Sequence, residues 1–291
     1  MSANEKASVS LDGTGRLVYD LDERGNRIPD FSNCGFMGGG VVLPEVDAVE
    51  VLLPLESGDD TRRIQAAINH VAAIPEDEDG YKGAVLLKHG VYRINKSIHI
   101  LSSGVVLRGE GQGEDGTTLV ATGKGHRTLI EVGSVRTTAP RGLEQLGHSE
   151  AEDAEETRTD ILDEIVPVGS RTFRVANVDA FSVGDEIIVH RPSTEAWIRA
   201  IGMDRIEAKE NTRQWEPGSY DMHFRREVVE IDGNQVTVDA PLVQVIEEQF
   251  GGGSIYKYID LGRIERVGVE NLRGISEFDD SILDEDDDLE F

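Results

Sequence analysis

A single cysteine, Cys34, in 291 residues excludes an internal disulfide and leaves no cysteine spacing for a metal site. Aromatic side chains are only 5% of the chain and tryptophan occurs twice, so any passage that gathers them stands out. No apolar run approaches the roughly eighteen residues of a membrane-spanning helix, and residues 1–10 lack the basic start and apolar core of a secretion signal. Bases are short as well: 29 Lys and Arg face 56 Asp and Glu, a formal charge of -27 that argues against nucleic acid and anionic membranes as partners. That charge is concentrated. Residues 144–164 and 277–291 hold nine acids each with Arg158 as the one base between them, and the remainder carries a milder -10 that leaves room for local basic patches.

Order begins at Gly58. Ser57-Gly58-Asp59-Asp60-Thr61 offers N-cap side chains, and Ile64, Ala67, Ile68, Val71 and Ala72 follow at helical spacing, which predicts an amphipathic helix starting near Asp60. After the loop 75–83 come runs too short for helices and rich in β-branched or alternating residues: 84–87, 90–94, 97–100, 105–108 and 118–121. Gly, Asn and Ser separate them at intervals of about a dozen residues or fewer, which suits stacked strands.

Gly58-Asp59-Asp60-Thr61-x-x-Ile64-Gln65-Ala66-Ala67-Ile68, Gly83-Ala84-Val85-Leu86-Leu87, Gly90-Val91-Tyr92 and Gly104-Val105-Val106-Leu107-Arg108-Gly109-Glu110-Gly111 resemble, in order and spacing, the N-terminal region of the pectate-lyase-like right-handed parallel β-helix superfamily. The resemblance implies a mainly β fold: the start of a right-handed parallel β-helix behind an N-terminal cap helix. It implies no single reaction, since similar regions open pectate lyases, rhamnogalacturonases, alginate epimerases and lyases, and phage tailspike proteins. The end rung of such a stack would expose apolar core and unpaired strand edges. A helix laid across it supplies the missing partner, with Ile64, Ile68 and Val71 facing the first rung.

The chain then divides into a strap (1–57), the cap helix and first rungs (58–138), an acidic loop (139–164), an inserted small antiparallel β module (165–250), a return to the rungs (251–276) and an acidic tail (277–291). Gly111-Gln112-Gly113-Glu114-Asp115-Gly116 formally matches a dinucleotide fingerprint, but Thr117 to Ala121 continue as strand where that motif needs a helix, and two acids in the turn would repel phosphate. In the module, 172–175, 186–190, 226–231 and 235–238 read as strands, the last two joined by the tight turn Asp232-Gly233-Asn234. Ile255 to Tyr258, Ile264 to Val267 and Val269 to Arg273 read as rung strands.

Between the module's strands lies the chemically densest passage. Arg191, Trp197, Arg199, Lys209, Trp215, Tyr220, His223 and Arg225 bring both tryptophans together with bases. Sugar rings stack their apolar faces on indole, and their hydroxyls and carboxylates bind Arg and Lys, so these residues are the candidate glycan contacts. The other reading is that the tryptophans pack the module and the charges are solvated; a helix over Glu195 to Arg199 packing inward would favour it.

The resemblance implies a carbohydrate-active protein, polysaccharide lyase-like, cleaving an acidic polysaccharide by β-elimination outside the cytoplasm, in the extracellular space or periplasm. Such a lyase uses Lys or Arg as base, with Ca²⁺ or Arg neutralising the uronate carboxylate. A hydrolase of the same shape uses Asp residues. No catalytic residue is assignable, because groove residues of a β-helix meet one rung apart and the rungs that carry the groove in such proteins come later than any present. The chain resembles the front part of such a protein. A non-catalytic glycan-binding or structural segment, adhesin-like or tailspike-like, is the competing class, and the exposed end of the stack is expected to favour self-association.

Overall fold

The computed structural model describes residues 9–123, 127–133, 156–207, 212–258 and 263–278. The chain is mainly β and divides into two compact units, one of residues 1–42 with 141–261 and one of residues 43–140 with 262–291.

In chain order, β1 (Val9–Leu11) and β2 (Leu17–Tyr19) form an antiparallel hairpin. Next come β3 (Ala48–Leu52), helix α1 (Thr61–Ala72), β4 (Gly83–Leu87), β5 (Gly90–Ile94), β6 (Ile98–Ile100), β7 (Val105–Gly109), β8 (Thr117–Ala121) and β9 (Ile130–Val132). A third passage carries β10 (Thr159–Asp160), β11 (Ile165–Val166), β12 (Thr172–Arg174), β13 (Glu186–Arg191), helix α2 (Glu195–Ile201), β14 (Met222–Asp232), β15 (Gln235–Val238), β16 (Ile246–Glu247) and β17 (Ser254–Lys257). Last are β18 (Gly268–Glu270) and β19 (Arg273–Ser276).

In the unit of residues 43–140 and 262–291, consecutive strands from β4 to β9 do not pair with one another. Each pairs in parallel with its counterpart one circuit of chain later: β3, β4, β7 and β18 form one ladder, β5, β8 and β19 a second, β6 and β9 a third. Alternate residues point inward, so Val85, Leu87, Tyr92, Ile94, Ile98, Ile100, Val105, Leu107 and Leu119 form one core with Ile64, Ile68 and Val71 of α1. The expected helical face is the buried one. Asp59, rather than Asp60, supplies the cap: its Oδ1 accepts from Thr61 N at 3.1 Å and Asn95 N at 3.2 Å.

The first circuit is closed off by three different devices. β3 pairs with β4; the Asp60 N–H donates to Arg93 O of β5 at 2.8 Å; and the Gln65 amide acts as a one-residue strand on β6, donating to His99 O at 2.9 Å and accepting from His99 N at 2.8 Å. β3 lies inside the passage read from sequence as strap. Its alternation is masked because Val49 and Val51, its β-branched residues, are exposed.

The Gly111–Gly116 run is a turn feeding strand β8, with Thr117 N donating to Gly111 O at 3.0 Å. A Cβ on Gly116 would lie 2.3 Å from Gly111 O, so close backbone approach explains that glycine.

In the other unit, β10, β17, β13, β14, β15 and β12 form one antiparallel sheet in that order, and β11 pairs with β16. An Ile161–Val175 bridge just past β10 and β12, with Leu162 N donating to Arg174 O at 2.8 Å, joins the two edges as in a small barrel. Phe173, Val175, Ile187, Val189, Val228, Val236, Val238 and Ile255 fill its inside. The strap's described part is wired to this unit: Arg27 N donates to Val168 O at 3.1 Å, Asn33 Nδ2 to Asp239 O at 2.8 Å, and Arg24 pairs with the buried Glu247.

Two expectations are corrected. Ile255 to Tyr258 is no rung strand, because β17 pairs antiparallel with β13 and β10, so the antiparallel sheet runs from Thr159 to Lys257. Ile264 to Val267 is not a strand, and the parallel ladders resume only at β18. A four-residue apolar run has the same pattern whether its partner runs parallel or antiparallel. Most of the acidic loop and of the acidic tail lies outside the described residues.

Candidate functional site

Thr194 caps α2 through its Oγ1, which accepts from Trp197 N at 3.3 Å, and Gly202 ends it in the left-handed conformation. The helix buries Trp197 and Ile198 and turns Glu195 and Arg199 outward, where they pair. Trp197 is therefore a packing residue, as an inward-facing helix here requires. Arg191, at the end of β13 and only 2% exposed, lays its guanidinium 4.4 Å from the Trp197 ring centre and donates from Nε to Val245 O at 3.1 Å. Burial pulls the Arg191 pKa down, against the fields of Glu247 and Asp221.

Above this pair the loop 212–221 carries the other two aromatics. Trp215 lies 6.0 Å from Trp197 and stacks on Tyr220 at 3.6 Å and 21°. Both are half-buried. The loop is held by its backbone: Trp215 N donates to Met203 O at 3.1 Å, Gly218 N to Ser193 O at 3.0 Å and Tyr220 N to Ser193 Oγ at 3.0 Å. Asp221 completes the clamp, accepting on Oδ1 from Ser193 N at 2.7 Å and Ser193 Oγ at 2.8 Å, with Oδ2 2.8 Å from His190 Nε2. Burial pushes the Asp221 carboxyl up, but the hydrogen bonds from Ser193 and His190 outweigh it and hold the pKa below the ordinary value.

An ionised carboxylate only accepts, so His190 presents Nε2–H to Asp221 and turns Nδ1 to the other side. Ser254 Oγ stands 3.5 Å from that Nδ1, which gives the residue types of a Ser-His-Asp relay. The arrangement is unlike a relay in two respects: Ser254 is 5% exposed, and Arg158 places Nη1 3.3 Å from His190 Nδ1 while also donating to Ser254 Oγ, so a cation stands where a base would meet its nucleophile.

Of the eight candidate contacts, Arg191, Trp197, Trp215 and Tyr220 form one cluster. Arg199 is exposed at its edge, bonded to Glu195 and 4.0 Å from Asp204. His223 and Arg225 lie along β14: His223 pairs across from His190 with ring centres 4.9 Å apart, and Arg225 reaches both oxygens of Glu186 at 2.6 and 2.7 Å and lies 4.8 Å from the Tyr258 ring. Lys209 lies outside the described residues. Ser193 and Asp221 were not singled out from sequence; 28 positions separate them, and no spacing rule joins them.

Among the described residues no group of three or more His, Cys, Asp or Glu is arranged to hold a metal ion. A cavity of about 330 Å³ lies elsewhere, against Glu45, Asp47, Glu76, Asp77, Tyr81 and Lys82. Asp77 there binds its own turn, accepting from Asp79 N at 3.0 Å and Tyr81 N at 2.8 Å.

No protein-family model matches the chain. No curated protein sequence matches it either. Among solved structures it is similar to tailspike gp61 of Pseudomonas phage phi297, with a TM-score of 0.36 and 20% identity over 74% of this chain and 27% of that one. The gp54 tailspike of Acinetobacter baumannii bacteriophage AP22, solved in complex with A. baumannii capsular saccharide, gives 0.36 and 15% over 76% and 27%. Tailspike gp49 of Pseudomonas phage LKA1 gives 0.32 and 18% over 75% and 27%. The chain thus spans about a quarter of the length of these tailspikes.

Proposed function

We propose that this is a carbohydrate-binding β protein whose parallel ladders are the opening circuits of a right-handed β-helix, and whose glycan contact is the Trp215–Tyr220 platform. The observation that carries the reading is the construction of that platform: two stacked, half-exposed rings on a loop fixed by Ser193 and Asp221, backed by Trp197 and a buried Arg191. Such a surface is ordered before a ligand arrives and offers flat apolar area, which is what a pyranose face needs. Arrays of immobilised oligosaccharides test it. Retention of at least one glycan by the wild-type chain, lost in Trp215→Ala, is expected; retention unchanged in that variant would sink the assignment.

Cleavage by β-elimination, implied by the resemblance of the Gly58–Gly111 passage, can be read on the same material from the ultraviolet absorbance of unsaturated uronate products. The described cluster supplies binding groups, and Arg158 stands at His190 Nδ1. We also propose that a second copy adds at the β18 and β19 end of the ladders, where the described residues provide no further strand.

A further inference from the structure

We infer that the Trp215–Tyr220 platform accepts a neutral sugar and not a uronate, an inference that rests on the glycan-binding reading of that platform. The bases of this passage gave it the look of a site for an acidic glycan. The structure sets Arg199, Arg205 and Arg225 against carboxylates, while Arg213, exposed on the loop 212–221, has no ion-pair partner among the described residues. Arg199 is bonded to Glu195, Arg205 Nε stands 3.4 Å from Asp204 Oδ1, and Arg225 grips both oxygens of Glu186. Arg191 lies buried beneath Trp197, in the fields of Glu247 and Asp221. Counted along the chain, residues 195–221 hold six acids and four bases, so the loop that presents the aromatics is itself net negative.

A uronate carboxylate reaching Arg199 would have to displace Glu195. That exchanges one exposed ion pair for another, with little net gain, while the surrounding acids repel the newcomer. A neutral sugar meets no such opposition. Its C–H face needs only the ring surfaces, and its hydroxyls hydrogen-bond to carboxylates as readily as to guanidinium groups.

Both tryptophans of the chain lie in this cluster, so tryptophan fluorescence, excited beyond the tyrosine band, reports on it alone. The whole chain is titrated, at low and high salt, with neutral gluco-, galacto- and manno-hexasaccharides and with hexamers of galacturonate and mannuronate, and calorimetry follows any sugar that shifts the emission. The expected result is a saturable shift with a neutral sugar, insensitive to salt, with every uronate weaker by about tenfold or more. Calorimetric binding should vanish in Trp215→Ala and in Tyr220→Ala, the second variant guarding against misfolding of the first, with circular dichroism as the control. A uronate that binds more tightly than any neutral sugar, and loses affinity as salt rises, overturns the neutral preference but leaves the platform assignment standing. No response to any sugar overturns both.

Discussion

Asp221 is the residue on which the local order converges, because its two oxygens serve Ser193 and His190 at once. Its folded pKa lies below the ordinary aspartate value, so the stability it contributes is complete above that ordinary value and is lost as pH falls through the depressed folded pKa. Asp221→Asn keeps the shape and removes the charge; its acid-unfolding curve should lose part of the low-pH limb, and a curve superimposable on wild type would contradict the clamp. Glu110 behaves alike at an exposed site, held at about 2 by Lys88 and the His89 N–H. The two tryptophans should separate cleanly. Trp197→Ala empties a packed position and is expected to cost about 3 kcal/mol in denaturant unfolding, whereas Trp215→Ala, at a half-exposed ring, should cost less than about 1.5.

At the scale of elements, α1 acts as a lid on the first circuit, through both apolar packing and Gln65. Losing the Gln65 amide strands the N–H and C=O of His99, so Gln65→Ala is expected to lower stability by about 1–3 kcal/mol and to speed hydrogen exchange of the His99 amide selectively. Uniform exchange acceleration along β6 and β7 would instead point to loss of packing. A comparable destabilisation is expected for Gly116→Ala, where the added methyl meets Gly111 O and the turn into β8 must open.

On the scale of the molecule, the ladders are treated differently at their two ends. On the first circuit, β5 is met by Asp60 and β6 by Gln65, so a second copy cannot continue all three ladders head to tail. At the other end β18 and β19 leave Val269 and Ile275 exposed at 42% and 41%. Pairing there between two copies is isologous and closes on itself, which predicts a dimer and no filament. The formal charge of -27 opposes the approach of two copies. Sedimentation should therefore show the dimer fraction rising with salt; a chain that stays monomeric at high salt and high concentration, or one that forms open-ended polymers, would refute this mode of association.

What the amino-acid order determined by itself is local: the face of α1, the existence of β4 to β8, the rejection of a dinucleotide turn at Gly111–Gly116, and the hairpin of β14 and β15. Each follows from periodicity, a cap or a turn residue within about a dozen positions. The concentration of tryptophan and arginine after His190 was equally legible, and four of the eight residues it singled out, Arg191, Trp197, Trp215 and Tyr220, stand together in the fold. The pairing of strands was decided only in three dimensions, since Ile255 carries no mark that its partner is Val189 in an antiparallel sheet. The same holds for the division of labour between Trp197, which is buried, and Trp215, which is half-exposed, and for the pairing of the bases around them. Hydrogen bonds such as Ser193 to Asp221 depend on where the chain returns, and return points are set by the packing of whole elements.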